Sequence, residues 1–195
     1  MAVRTTIQIG HPGLKAKNKV ITDFSDLKLR QLITDLRDSM LTNDLIGIAA
    51  PQIAENYQVF VTEPRQTAAR KLEKTDKFRV YINPKITFFS SEKSVIYEGC
   101  GSVLNGLLFG PVKRPREIII SAFDEKGKKF QIHTDGILAR VIQHEHDHLQ
   151  GIEFTEKVLD YRKLMHRDFY LERIKHLPET IAAAKITKLE YKALQ

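Results

Sequence analysis

The run Gln143-His144-Glu145-His146-Asp147-His148-Leu149-Gln150-Gly151 constrains this chain more than any other stretch. On a helix of about 3.6 residues per turn, residues four apart differ by only about 40° around the axis, so His144 and His148 stack on one face. Two imidazoles so placed can grip one metal ion. Glu145, close by in the same turn, can reach a water on that ion without ligating it. This is the HExxH arrangement of metal-assisted hydrolysis, in which the ion acidifies water and the glutamate moves the proton. The competing reading is a surface helix that happens to carry histidines and acids. The flanks argue against it. Asp135 and Gly136 are placed to open the helix, and Gly151 to close it with a left-handed cap. Ile137 and Val141 share a stripe with His144 and His148, while Leu138, Ile142, Glu145 and Leu149 form the next, so helical periodicity carries the polar groups along the buried face. Burying imidazoles and a carboxylate without partners is costly, and a metal ion removes that cost.

The chain has 195 residues, enough for one good core and too few for two. We therefore expect a single α+β domain: antiparallel sheets packed around the central HExxH helix, an N-terminal helix, a catalytic part over 1–155, and a basic C-terminal helical extension over 156–195. No apolar run approaches membrane-spanning length, and Met1 to Val20 lacks the apolar centre of a signal peptide, so the expected location is the cytoplasm, away from membranes. The single cysteine, Cys100, excludes an intramolecular disulfide and leaves three readings: core residue, nucleophile or metal ligand. Net charge is +7, and from Lys157 onward nine Lys or Arg face five Asp or Glu. That balance favours anionic partners such as RNA, with a solvated basic face as the plainer explanation.

Along the chain, Gly10-His11-Pro12-Gly13 reads as a turn. Ser25 is placed to cap a helix from Asp26 to about Leu41, since Leu29, Leu32, Ile33, Leu36 and Met40 repeat at helical spacing. Asn43 to Gln52 forms a bend whose small residues let another backbone approach closely. Strands are expected over Tyr57–Thr62, Phe78–Ile82, Lys85–Phe89, Ser94–Gly99, Glu117–Phe123 and Lys129–Thr134, with a hairpin turn at Asp124-Glu125-Lys126-Gly127 and an exposed loop from Pro64 to Lys77. Short connections favour antiparallel pairing. After Gly151, a helix is expected over Asp160–His176, interrupted by Pro178, and Ile181–Leu194 is left as a last helix or a loosely attached segment.

A catalytic site of this kind needs three protein ligands and an open position. The pattern HExxHxxGxxH would supply a further histidine, but that position holds Phe154. Glu153, Glu156, His166 and Glu172 stay open as downstream ligands of a metallopeptidase. Upstream, Glu98-Gly99-Cys100-Gly101-Ser102 presents a thiol at a strand end, framed by glycines. Here the chain resembles the peptide deformylases, whose motifs GxGxAAPQ, EGCLS and QHExDHLxG stand in order as Leu45 to Gln52, Glu98 to Ser102, and Gln143 to Gly151. Gly10-His11-Pro12 is similar to the family's N-terminal turn, so the likeness runs from near the start to about Gly151.

The resemblance implies that Cys100, His144 and His148 bind one divalent ion, commonly Fe²⁺, whereas ligand chemistry alone suggests Zn²⁺. It implies that Glu145 moves the proton, that the Gln52 amide and the Gly101 backbone N–H stabilise developing charge, and that the substrate is an N-formylmethionyl nascent peptide. Ile46, Ile96 and Val141 are candidates for the methionine pocket, with ordinary core as the competing reading. The peptide backbone is expected to pair with Ile46-Gly47 as an added strand. Arg114 is a candidate partner for Asp147. Three positions depart from the motifs: Leu45 stands for a glycine, Gly101 for the leucine of EGCLS, and Leu104 for a proline. Two other functions therefore remain in view, an HExxH metallopeptidase and a binding protein that keeps the fold without efficient turnover.

Overall fold

The structure is a computed structural model that describes residues 3–67 and 70–194. Helix α1 (Leu27–Thr42) buries Leu29, Leu32, Leu36 and Met40, the stripe its spacing dictates. Its cap is Asp26 and not Ser25: the Asp26 carboxylate accepts the Lys28 N–H at 2.8 Å, while the Ser25 hydroxyl donates to Asp23 at 2.6 Å. A carboxylate there both satisfies an orphan donor and meets the positive helix end.

The strands form two antiparallel sheets. The larger has six, in the spatial order β1 (Gly47–Ala49), β2 (Val59–Thr62), β3 (Arg79–Phe89), β6 (Glu117–Phe123), β7 (Lys129–Asp135) and β9 (Leu189–Ala193). The smaller holds β4 (Lys93–Gly99), β5 (Leu108–Pro115) and β8 (Met165–His166). Successive side chains of a strand point to opposite faces, and the larger sheet uses both. Val59, Val61, Val80 and Ile82 pack with α1, whereas Phe60, Tyr81, Ile118, Ile120 and Ile132 pack against α2 (Gly136–Leu149). Every residue of α2 except His146 is buried, so its polar side chains lie inside the protein and need partners there.

Three segments differ from the sequence reading. The runs 78–82 and 85–89 are one strand, β3, whose register shifts between Ile82 and Lys85, where Asn83 has φ 49° and anchors Ile21 through its side-chain amide. Strand β5 was hidden by Pro111 and Pro115. Both lie beyond Leu108 and Phe109, where β8 pairs, so their missing N–H groups break no ladder with β8. In the tail, the expected helix over 160–176 is confined to α3 (Arg167–Arg173), and Pro178 starts a helix, α4 (Pro178–Ala184), as a first-turn residue.

Beyond Ala184 the chain is neither helical nor loose. Leu189–Ala193 pairs with β7 from Thr134 to Phe130, and Tyr191 stacks on Phe130 at 5.5 Å. The Asp135 carboxylate, in the N-cap position of α2, is turned to this tail and accepts the Thr187 N–H at 2.7 Å and the Lys188 N–H at 2.9 Å. Gly136 has φ +59°, and a Cβ on it would lie 2.3 Å from the Lys185 carbonyl oxygen, so only glycine lets the tail cross the start of α2 so closely. No helix among the described residues is long and apolar enough to cross a membrane.

Candidate metal centre

Strand β4 ends at Gly99 and delivers Cys100 beside α2, where His144 and His148 project from successive turns. The ligand atoms of these three buried residues lie within 4.8 Å of one another. Cys100 Sγ is 3.2 Å from His148 Nε2, and it accepts the Ser102 backbone N–H and a Gln52 side-chain N–H, each at 3.4 Å. Gln52 is itself fixed, because its Oε1 accepts the Ala49 N–H at 2.8 Å from within the tight turn Ala50–Ile53.

A buried charge network orients the rings. His144 Nδ1 lies 2.9 Å from Glu98 Oε2, so the Nδ1–H donates to the carboxylate and the Nε2 lone pair is left for the centre. Arg114 grips Glu98 with two bonds, at 2.7 and 2.9 Å, and reaches Asp147 at 2.5 Å. Arg140 donates to Glu98 at 2.9 Å and to the Val112 carbonyl at 3.0 Å. Burial pushes the Glu98 carboxyl up, but the Arg114 charge and the hydrogen bonds outweigh it and hold the group well below the usual carboxylate range. Burial likewise opposes charge on His144, and its bonds to Cys100 and Glu98 win, raising its pKa. His148 goes the other way, depressed by burial and by the neighbouring His144 charge. Glu145 is pushed up to about 7, by burial first, with the His144 charge only partly offsetting it.

Two buried atoms here have no hydrogen-bond partner, Glu145 Oε2 and His148 Nδ1. A thiol and two imidazoles converge on one point beside a carboxylate with a spare oxygen, and that donor set fits a divalent cation. The downstream carboxylates and histidine considered for a peptidase are not in this group; Glu156, for one, pairs with Lys15.

A cavity of about 60 Å³ opens beside the centre, walled by Ile46, Gly47, Val141, Gln52, Gly101 and Glu145 among others. A Cβ on Gly47 would sit 2.5 Å from Val141 Cγ2 and 2.8 Å from Glu145 Oε1, so the strand can approach the helix only as glycine. Ile96 is buried on β4 but is not part of this wall. Two wall residues escaped the sequence reading. Arg140 precedes His144 by four positions, a spacing that does place it on the His144 stripe; Arg70 comes from a polar loop that carries no such signal.

The three departures from the motifs have local physical reasons. Leu45 Cδ1 lies 3.2 Å from where a Cβ on Gly101 would be, so the leucine on one segment fills the space left open by the glycine on the other. Thr6 and Gln8 clamp the Gly101 carbonyl with side-chain bonds at 3.3 and 2.9 Å. Leu104 has φ 49°, which a proline ring, locked near −65°, cannot adopt.

An antiparallel α+β fold with a thiol, two helix-borne imidazoles and an adjacent acid around one point defines a metal-dependent hydrolase. The family model described as polypeptide deformylase matches residues 3–163, and the chain belongs to that family. It is 36% identical over 173 residues to the peptide deformylase of Treponema pallidum, covering 89% of this chain and 96% of that one. Against peptide deformylase 2 of Clostridium perfringens it is 36% identical over 167 residues, covering 86% of this chain and all of the relative. Among solved structures, the peptide deformylase of Ehrlichia chaffeensis in complex with actinonin superposes with a TM-score of 0.74 at 30% identity, covering 90% of this chain and 97% of that one. The Met-Ala-Ser-bound class I type b peptide deformylase of Acinetobacter baumannii gives a TM-score of 0.74 at 29% identity, over 80% and 99% of the two chains.

Proposed function

We propose that this protein hydrolyses the N-formyl group of formylmethionyl nascent peptides, releasing formate and a free N-terminal methionine. The observation that carries the reading is the convergence of Cys100, His144 and His148 within 4.8 Å beside the buried Glu145. A divalent ion on these three residues, Fe²⁺ by resemblance to the family and Zn²⁺ by ligand chemistry alone, supplies Lewis acidity for water and the formyl oxygen.

The chain's own residues do the rest. Glu145, with its pKa raised to about 7 by burial, accepts a proton from water as the oxygen attacks the formyl carbon. It returns that proton to the amine nitrogen as the C–N bond breaks, so the balance is one water in, one formate and one amine out. Gln52 Nε2 and the Gly101 N–H are the proposed donors to the oxygen that gathers negative charge; losing one such donor costs about 2.7–4 kcal/mol. Glu98 holds His144 in the tautomer that points Nε2 inward. Ile46, Gly47 and Val141 form the proposed seat of the methionine side chain, without Ile96. Strand β1 is at the sheet's edge, which suits a peptide added alongside Ile46-Gly47. The A. baumannii relative was solved with Met-Ala-Ser bound, a peptide of the kind this reaction would leave. Such a substrate is met where translation takes place, in keeping with a cytoplasmic location, and a net charge of +7 suits work close to ribosomal RNA.

The test is anaerobic preparation, metal analysis and formate assay with formyl-Met-Ala-Ser. Wild type should release formate; Glu145→Ala should bind metal without turnover, and Cys100→Ala should lose both. Formate release no greater than that of Glu145→Ala would refute the reading. Retention of metal and peptide-bond cleavage by Cys100→Ala would point instead to a metallopeptidase.

A further inference from the structure

Arg70 belongs to two cavities at once. On one side it stands with Glu98, Val141 and Glu145 in the wall beside the metal centre. On the other it lines a larger cavity of about 290 Å³, between the loop at 70–74 and tail residues 170–186. Lys71, Lys74, Lys175 and Lys185 share that lining, so with Arg70 there are five formal positive charges against one acid, Glu73. Glu73 is already taken by Lys185 at 3.0 Å. Tyr170 and Ile186 add an apolar surface, and the Tyr170 ring is held by stacking on Phe109 at 4.3 Å. Burial draws the Arg70 pKa down, while Tyr170, Asp44 and Glu98 pull the other way. The guanidinium at the junction is partly buried between the two cavities.

We infer that this cavity receives acidic side chains of the substrate peptide, in the residues that follow the formylmethionine. The assignment rests on the deformylase reading. A peptide seated with its formyl end at Cys100 and leaving past Arg70 enters the cationic cavity, where its carboxylates meet Lys71, Lys74 and Lys175. A solvated basic surface would be convex and fully hydrated, whereas this one is concave, built from two distant segments, and partly apolar. Nucleic acid is the other polyanion to consider, but a cavity of about 290 Å³ holds one or two side chains and not a duplex backbone.

The test compares kcat/KM of the metal-loaded protein for formyl-Met-Ala-Glu-Asp and formyl-Met-Ala-Gln-Asn at low and high salt. The acidic peptide should be preferred by about five- to tenfold at low salt, and the preference should shrink as screening grows. In Lys71→Glu/Lys175→Glu the acidic-to-neutral ratio should fall below one. Anisotropy of the same peptides, labelled at their C-termini, on metal-loaded Glu145→Ala protein gives the comparison without turnover. Failure to release formate from either peptide would then count against the deformylase reading alone. Equal kcat/KM and equal binding for the two peptides, or a ratio untouched by the charge reversals, would overturn the inference. Loss of binding to a short RNA duplex in the double variant, with the peptide ratio unchanged, would reassign the cavity to nucleic acid.

Discussion

The exchange of bulk between Leu45 and Gly101 makes a quantitative prediction. A Cβ at 101 would lie 3.2 Å from Leu45 Cδ1, 3.7 Å from Leu45 Cδ2 and 3.7 Å from Thr6 Cγ2. One carbon fits if Leu45 gives by a few tenths of an ångström; a full leucine must displace it. Gly101→Leu is therefore an overpacking change, expected to cost about 1–3 kcal/mol. Leu45→Gly strips a half-buried side chain that packs on the α1 side of the sheet, and adds backbone freedom to the unfolded chain; together these should cost about 2 kcal/mol. If the two side chains compete for the same space, the double variant recovers part of both losses, with a coupling of about 1 kcal/mol or more in a double-mutant cycle. The cycle is measured by urea unfolding of the four metal-loaded proteins, with formate release as a second readout. Strictly additive losses would refute the idea that one leucine stands in for the other.

Further outcomes follow from the same geometry. Gly47→Ala places a methyl group against Val141 and the Glu145 carboxylate, and should lower kcat/KM for formyl-Met-Ala-Ser by about tenfold or more, with a stability loss of about 1–3 kcal/mol; near-wild-type turnover would show that β1 can move away from α2. Arg114→Met leaves Glu98 and Asp147 buried without their shared partner, and should destabilise the protein by about 3–5 kcal/mol in a chemical unfolding curve at neutral pH. The same variant has a signature in pH. Because the folded pKa of Glu98 lies below its ordinary value of 4.5, its stabilising contribution is present above about that pH and is lost as pH falls through the folded value. Removing Arg114 raises that folded value, so acid unfolding followed by circular dichroism should begin at a higher pH than in wild type. An unchanged midpoint would mean that Arg140 and His144 suffice to hold Glu98 ionised.

The local parts of this protein are written in short windows of its sequence. The four-residue spacing of His144 and His148, with apolar residues before them at the same period, puts both imidazoles on one apolar helical face whatever surrounds the helix, because that periodicity is a property of the backbone alone. The stripe of α1 is legible for the same reason, β-branched content marks β6, and alternation marks β7. What depends on partners was not legible. Strand β9 exists because β7 offers an open edge; its own residues, Leu-Glu-Tyr-Lys-Ala, carry no decisive preference. Strand β5 is legible only once the limited reach of β8 shows where prolines are harmless.

The centre divides along the same line. Cys100 and His144 are 44 positions apart, and no local rule fixes the distance between a strand end and a helix face; the bonds that His144 and Arg140 of α2 make to Glu98 and Ser94 of β4 do so. Arg70 reaches the same cavity from a polar loop, and Leu45 fills the volume beside Gly101 from another segment altogether. Side-chain types and their periodicity belong to the sequence by itself. Convergence, complementary volumes and the burial that moves Glu145 toward neutrality were decided only by the tertiary structure, since each arises from atoms brought together by the whole core.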